Sequence, residues 1–208
     1  MKGTTNSKQR TLRLAQIAML IALIAVLQIL ATVFSKLVAL PVSITLTLVP
    51  IVVGAVLFGP WVGGILGFAF GAITLILGLT GFDPVTLQSF QFSAVGTFFI
   101  VLLKGTAAGM AAGAIAIPLK KKGKIYPAVF TAAVLAPVTN TAIYIIGMMT
   151  IFQGTWSGQA AEYGGMFAMA MIIIGMALVN FVIELIINVV LGSSVVRIIE
   201  AVKKSKLV

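Results

Sequence analysis

From Leu14 to Phe34 the chain reads LAQIAMLIALIAVLQILATVF, without a charged residue. A helix that crosses a bilayer needs about 20 predominantly apolar residues. In lipid, a single segment satisfies its own backbone hydrogen bonds only as a helix. Five further apolar runs follow, at 44–58, 61–79, 93–118, 125–152 and 167–192. Gly59-Pro60 separates the second from the third, as a tight turn does. TGFDPVTLQSFQF (80–92) reads as a polar loop, Lys120, Lys121, Lys122 and Lys124 part the fourth from the fifth, and QGTWSGQAAEYGG (153–165) parts the fifth from the sixth. The sequence therefore predicts an all-α membrane protein, a six-transmembrane-helix bundle forming a single integral membrane domain over residues 1–208. Composition agrees: 9% of residues are charged, against about 25% in soluble domains. The first run is longer than a signal-peptide core and lacks a clear small-x-small cleavage site, so it is expected to be retained.

The formal charge of +10 is distributed unevenly. Lys2, Lys8, Arg10 and Arg13 precede the first run, the four lysines of 120–124 follow the fourth, and Arg197, Lys203, Lys204 and Lys206 follow the sixth. With the N-terminus inside, twelve of the 14 basic residues fall on the cytoplasmic side, as the positive-inside rule requires. Lys36 then lies outside and Lys104 within a span. The expectation is a multi-pass protein of the cell membrane with both termini cytoplasmic. Its basic charge is a topology signal with attraction to anionic lipid as a by-product, not a nucleic-acid surface.

The inventory argues against catalysis. There is no Cys and no His, and the acids are Asp83, Glu162, Glu184 and Glu200. That leaves no thiol, no imidazole base and no usual zinc site. No metal or other cofactor is expected, and no catalytic residue. No G-x-x-x-x-G-K-[ST] occurs, so ATP hydrolysis would belong to another chain.

Small residues recur at helical spacing. Gly63, Gly67 and Gly71 line the third helix, and Gly105, Gly109 and Gly113 the fourth. Such ridges let backbones approach closely in lipid. Ala15, Ala18, Ala22 and Ala25 form a stripe on the first helix. It suits internal packing or a docking face for another membrane protein.

Three polar residues share one level. Lys104 lies 11 residues below Ser93, Asn140 lies 12 below Phe152 and Asn180 lies 13 from Phe167. At about 1.5 Å per residue, each is roughly 16–20 Å below the outer ends. Glu184 lies one turn deeper than Asn180 on the same face. Intramembrane ionisable residues usually face a bundle interior or cavity and mark function. Lys104 and Glu184 either neutralise one another as a structural pair or serve a substrate. Thr97 shares the face of Lys104, Thr139, Thr141 and Tyr144 accompany Asn140, and Pro137 can free a carbonyl for a ligand. Gln88, Gln91, Trp156 and Tyr163 in the outer loops are candidate lid or wall residues.

These features together resemble a family. The basic N-terminus, Ala18-x-x-x-Ala22, SITLTLVPIVVGAVLFGP (43–60), LLKGTAAG (102–109) and APVTNTAIYIIGMM (136–149) are similar to the substrate-binding S components of energy-coupling factor (ECF) vitamin transporters, most of all the pantothenate-specific ones. The resemblance covers nearly the whole chain. It implies capture of a vitamin from outside and docking, through Ala18 and Ala22, to a transmembrane T component with two cytoplasmic ATPases. It also implies a site in the outer half, built by later helices and outer loops. Pantothenate is a carboxylate with hydroxyls and an amide, which a lysine with Asn and Thr neighbours suits. The alternatives are an S component for a folate or a hydroxymethylpyrimidine-like ligand, or a standalone channel or structural membrane protein.

Overall fold

The computed structural model describes residues 3–37, 46–151 and 164–204. Its helices are α1 (Gly3–Leu37), α2 (Leu48–Phe58), α3 (Pro60–Leu79), α4 (Pro84–Phe92), α5 (Ala94–Lys121), α6 (Ile125–Ile151) and α7 (Met166–Lys204), and no strand occurs among the described residues. α1, α3, α5, α6 and α7 are long and apolar enough to cross a membrane. α2 is not: its 11 residues rise about 16 Å, against a hydrocarbon core of about 30 Å. Among the described residues, five helices of spanning length and one short apolar helix thus stand where six spans were expected.

The 80–92 segment, expected as a loop, contains α4. Asp83 starts it. Its Oδ1 accepts from the backbone N–H of Val85 at 3.2 Å and of Thr86 at 3.4 Å, and its Oδ2 accepts from the Thr86 hydroxyl at 2.7 Å. Pro84 occupies the first helical position, where a missing N–H costs nothing. Ser93 then caps α5 by accepting from the N–H of Gly96 at 3.1 Å.

Between α2 and α3, Gly59 adopts φ 100°, a conformation that disfavours any side chain, and Pro60 opens α3. The exposed carbonyls at the end of α2 are satisfied by cations. Lys120 Nζ donates to the carbonyls of Val56 and Leu57, each at 3.0 Å, and Arg13 donates to that of Phe58 at 3.3 Å while its guanidinium lies 5.6 Å from the Phe58 ring centre. A helix C-terminus carries partial negative charge, so this end is a favourable place for cations. It also gathers basic residues from α1 and α5 at one end of the bundle.

Packing runs in a row, α1 on α3, α3 on α5, α5 on α6 and α6 on α7, with α2 touching all five of these helices at the Lys120 end. The α3–α5 contact is a seam of glycines. An added Cβ on Gly63 would strike the Gly109 carbonyl, one on Gly67 that of Gly105, and one on Gly71 would meet the Val101 oxygen at 2.7 Å. The two ridges expected from sequence are therefore the two sides of one antiparallel contact. Lipid supplies no hydrophobic drive to hold helices together, so close backbone approach carries the association instead.

Two apolar clusters result. The larger joins Leu20 and Ile24 of α1, most of α2, Val62, Leu66 and Phe70 of α3, Ala112 and Ala116 of α5, Ala128–Ala136 of α6 and Val195 and Val196 of α7. The smaller joins Ile100, Met148 and Ile173, with Phe92, Tyr144 and Met149 packed against it. Outward, large apolar side chains such as Phe68, Ile76, Leu103, Ile146 and Val190 are exposed. That suits contact with hydrocarbon.

Candidate functional site

The interval between the two clusters holds a group of polar side chains on otherwise apolar helices. On α5 it runs between Ile100 and Ala112 and contains Lys104; on α6, between Ala136 and Tyr144, it contains Asn140 and Thr141; on α7, between Ile173 and Val195, it contains Asn180, Glu184 and Asn188. Asn140, Thr141, Glu184 and Asn188 are buried, while Lys104, Asn180 and Tyr144 are half-buried. Thr97, buried, lies two turns from Lys104 toward Ser93.

The lysine is held by aromatic faces. Its Nζ lies 5.2 Å from the centre of the Tyr144 ring on α6 and 6.0 Å from that of Phe70 on α3. A ring face is negatively polarised and attracts an ammonium at this range. Glu184 and Asp83 are the carboxylates whose field reaches Lys104. Glu184 has partners of its own: Asn180 Nδ2 donates to its Oε1 at 3.0 Å, and Asn188 Nδ2 donates to its backbone carbonyl at 2.8 Å.

Gln16 Oε1 and Ser35 Oγ on α1 are buried without a hydrogen-bond partner among the described residues, and so are three atoms on the later helices: Thr97 Oγ1, Asn140 Oδ1 and Asn180 Oδ1. Buried polar atoms are nearly always satisfied in folded proteins, so orphans require a reason. These three belong to α5, α6 and α7, and two of them lie at the level of Lys104. A ligand with hydroxyl or amide N–H groups would supply what the two amide oxygens lack. Pro137 has no N–H, which leaves the carbonyl of Ala133 without its helical partner, although α6 continues through it as one helix.

The outer-loop residues fare differently. Gln88 and Gln91 are exposed on α4, whereas Thr86 and Ser89 are the buried positions of that helix. Trp156 and Tyr163 lie outside the described residues. On α1, Ala15, Ala18 and Ala22 are exposed and Ala25 is half-buried, while Leu20, Ile24, Gln28 and Thr32 turn inward. Three of the four alanines of the stripe therefore face away from the described bundle.

Two residues outside the sequence expectations make buried contacts of note. Phe70 supplies a ring to Lys104. Gln28 is 1% exposed, and its Oε1 accepts from the Thr47 hydroxyl at 3.0 Å, tying α1 to the start of α2. A lone amide in an apolar run, Gln28 carries the same signal as Asn140. No comparable signal marks Phe70, since its role depends on which helix faces Lys104. A cavity of about 230 Å³ opens between α1 and α3, lined by Ile29, Thr32, Val33, Leu77 and Phe82. Its lining is apolar and includes none of the groups around Lys104.

Comparison with known proteins agrees with this architecture. The family model for "ECF transporter, substrate-specific component" matches residues 12–196. No curated protein and no solved structure matches the chain. The match extends from the start of the apolar part of α1 to the end of the larger cluster on α7, so it takes in both cores and the polar layer between them. On that extent the chain belongs to the S components of ECF transporters, the membrane subunits that bind a vitamin-type substrate and pair with T and ATPase components.

Proposed function

We propose that this S component binds pantothenate, with Lys104 receiving its carboxylate and Asn140, Asn180, Thr97 and Thr141 meeting its hydroxyl and amide groups. The observation that carries the reading is the Lys104 ammonium set between the Tyr144 and Phe70 rings, in a layer with orphaned amide oxygens on α6 and α7. A charged donor to a carboxylate makes a strong, directional contact in a water-poor site. The orphaned oxygens favour a ligand that also donates hydrogen bonds, as pantothenate does through two hydroxyls and an amide. Tyr144 lines the layer. Glu184 orients Asn180 by accepting from its Nδ2. Gln88 and Gln91 would meet a ligand on entry, a role that their exposure on α4 supports.

Ala15, Ala18, Ala22 and Ala25 form the face that docks to the T component. Their exposure on α1 supports this over internal packing, since small side chains permit close approach of a second helix. Both termini lie on the cytoplasmic side, where the ATPases act. Support comes from the basic residues gathered at the Lys120 end of the bundle.

Calorimetric titration of the purified protein with a panel of B vitamins tests the ligand. Saturable binding of pantothenate is expected. Binding of a folate or a pyrimidine vitamin instead would reassign the substrate, and binding of none would remove the vitamin reading.

A further inference from the structure

A lysine at mid-membrane depth can reach a ligand only if nothing else in the protein has already engaged it. Lys104 carries three N–H donors on a flexible stem, and two carboxylates, Glu184 and Asp83, lie within range of its charge. Its close neighbours are nevertheless rings: Tyr144 from α6 at 5.2 Å and Phe70 from α3 at 6.0 Å. Ring faces hold a cation without offering it an oxygen, so the attraction leaves the N–H donors available.

The backbone is arranged to admit Phe70. The ring packs against Gly105, the residue after Lys104. An added Cβ on Gly105 would lie 3.0 Å from Phe70 Cδ1, besides striking the Gly67 carbonyl. The glycine seam therefore does more than join α3 to α5: at Gly105 it makes room for the ring. Phe70 is 2% exposed and belongs to the larger core, so its position is fixed from below. Tyr144 packs on the smaller cluster and approaches from the other side.

We propose that Phe70 and Tyr144 clamp the Lys104 ammonium in place and keep its donors open, which makes Phe70 a positioning residue that sets the preference for a carboxylate ligand over a neutral one. The proposal rests on the pantothenate reading above. Without a ring, the ammonium is free to swing toward Glu184, and an incoming carboxylate must displace that partner. A neutral ligand makes no charge-assisted contact with the ammonium, so the loss of a ring costs it less.

The test compares pantothenate with pantothenol, in which CH2OH replaces the carboxylate, by calorimetric titration of purified protein. Phe70→Leu is expected to weaken pantothenate about tenfold while moving pantothenol by less than about twofold. Tyr144→Leu is expected to weaken pantothenate more than it weakens pantothenol, and Tyr144→Phe, which keeps the ring, to retain the preference. Retained pantothenol binding certifies that each variant is folded. If Phe70→Leu does not fold, the Tyr144 pair decides the matter alone. Equal weakening of both ligands, or no change in either, overturns the clamp while leaving pantothenate binding intact. A wild-type protein that binds neither compound overturns the functional reading itself, and the clamp with it.

Discussion

Gly67 of α3 and Gly105 of α5 face each other so closely that a Cβ on either would strike the other's carbonyl oxygen. A Cβ on Gly67 would also meet Thr106 N at 3.0 Å. These are backbone atoms, which cannot rotate away. Gly67→Ala is expected to destabilise the protein by about 1–3 kcal/mol through overpacking. Gly175 of α7 has nothing within 4 Å, so Gly175→Ala is expected to leave stability unchanged or raise it slightly. Thermal denaturation in detergent measures both, and equal effects at the two sites would mean that the seam is loose.

Gln28 and Thr47 form a buried side-chain pair. Gln28→Leu leaves the Thr47 hydroxyl without its acceptor, at an expected cost of about 1–3 kcal/mol. Adding Thr47→Val removes the stranded group and is expected to recover part of that loss. A double-mutant cycle on unfolding temperature reads the coupling, and additive effects would show that the two side chains act separately.

Lys104→Met keeps the length and apolar stem of the side chain and removes its charge. Pantothenate binding is expected to weaken by roughly 100-fold, with helix content and elution volume preserved. A variant that fails to fold would show that the lysine holds the bundle together through its ring contacts and the field of Glu184, and would oppose a ligand role.

Ala18→Leu and Ala22→Leu change exposed positions. Each is expected to abolish vitamin uptake in cells while leaving calorimetric binding within about twofold of wild type, because a branched side chain holds a partner helix off. Uptake at wild-type levels in both variants would remove the docking assignment.

Much of the architecture can be read from the chain because lipid imposes simple rules. Apolar length marks the spans, and glycine spacing marks α3 and α5 as helices that bring their backbones close. Counting from helix ends sets Lys104, Asn140 and Asn180 at one depth, and the structure has all three between the two apolar clusters. Helix α4 is harder to read. Asp83-Pro84 is a helix-start signature, but the nine-residue helix it begins is short and polar enough to pass for a loop. Read as a loop, the segment does not disclose the helical phase that exposes Gln88 and Gln91 and buries Thr86 and Ser89. The span expected over 44–58 shortens because α2 begins at Leu48, next to Thr47 and its bond to Gln28. The partners of Lys104 are not legible at all, since no local pattern says that α3 will present Phe70 to it.

The glycine seam has a mechanical consequence. With no side chains between them, α3 and α5 meet backbone to backbone, and together they carry Phe70, Lys104 and Thr97. They act as one rigid pair beneath the proposed site. Helix α7, by contrast, buries the smallest share of its apolar stretch among the spanning helices. A displacement of α7 would therefore alter the distance from Lys104 to Asn180 more readily than the distance from Lys104 to Phe70.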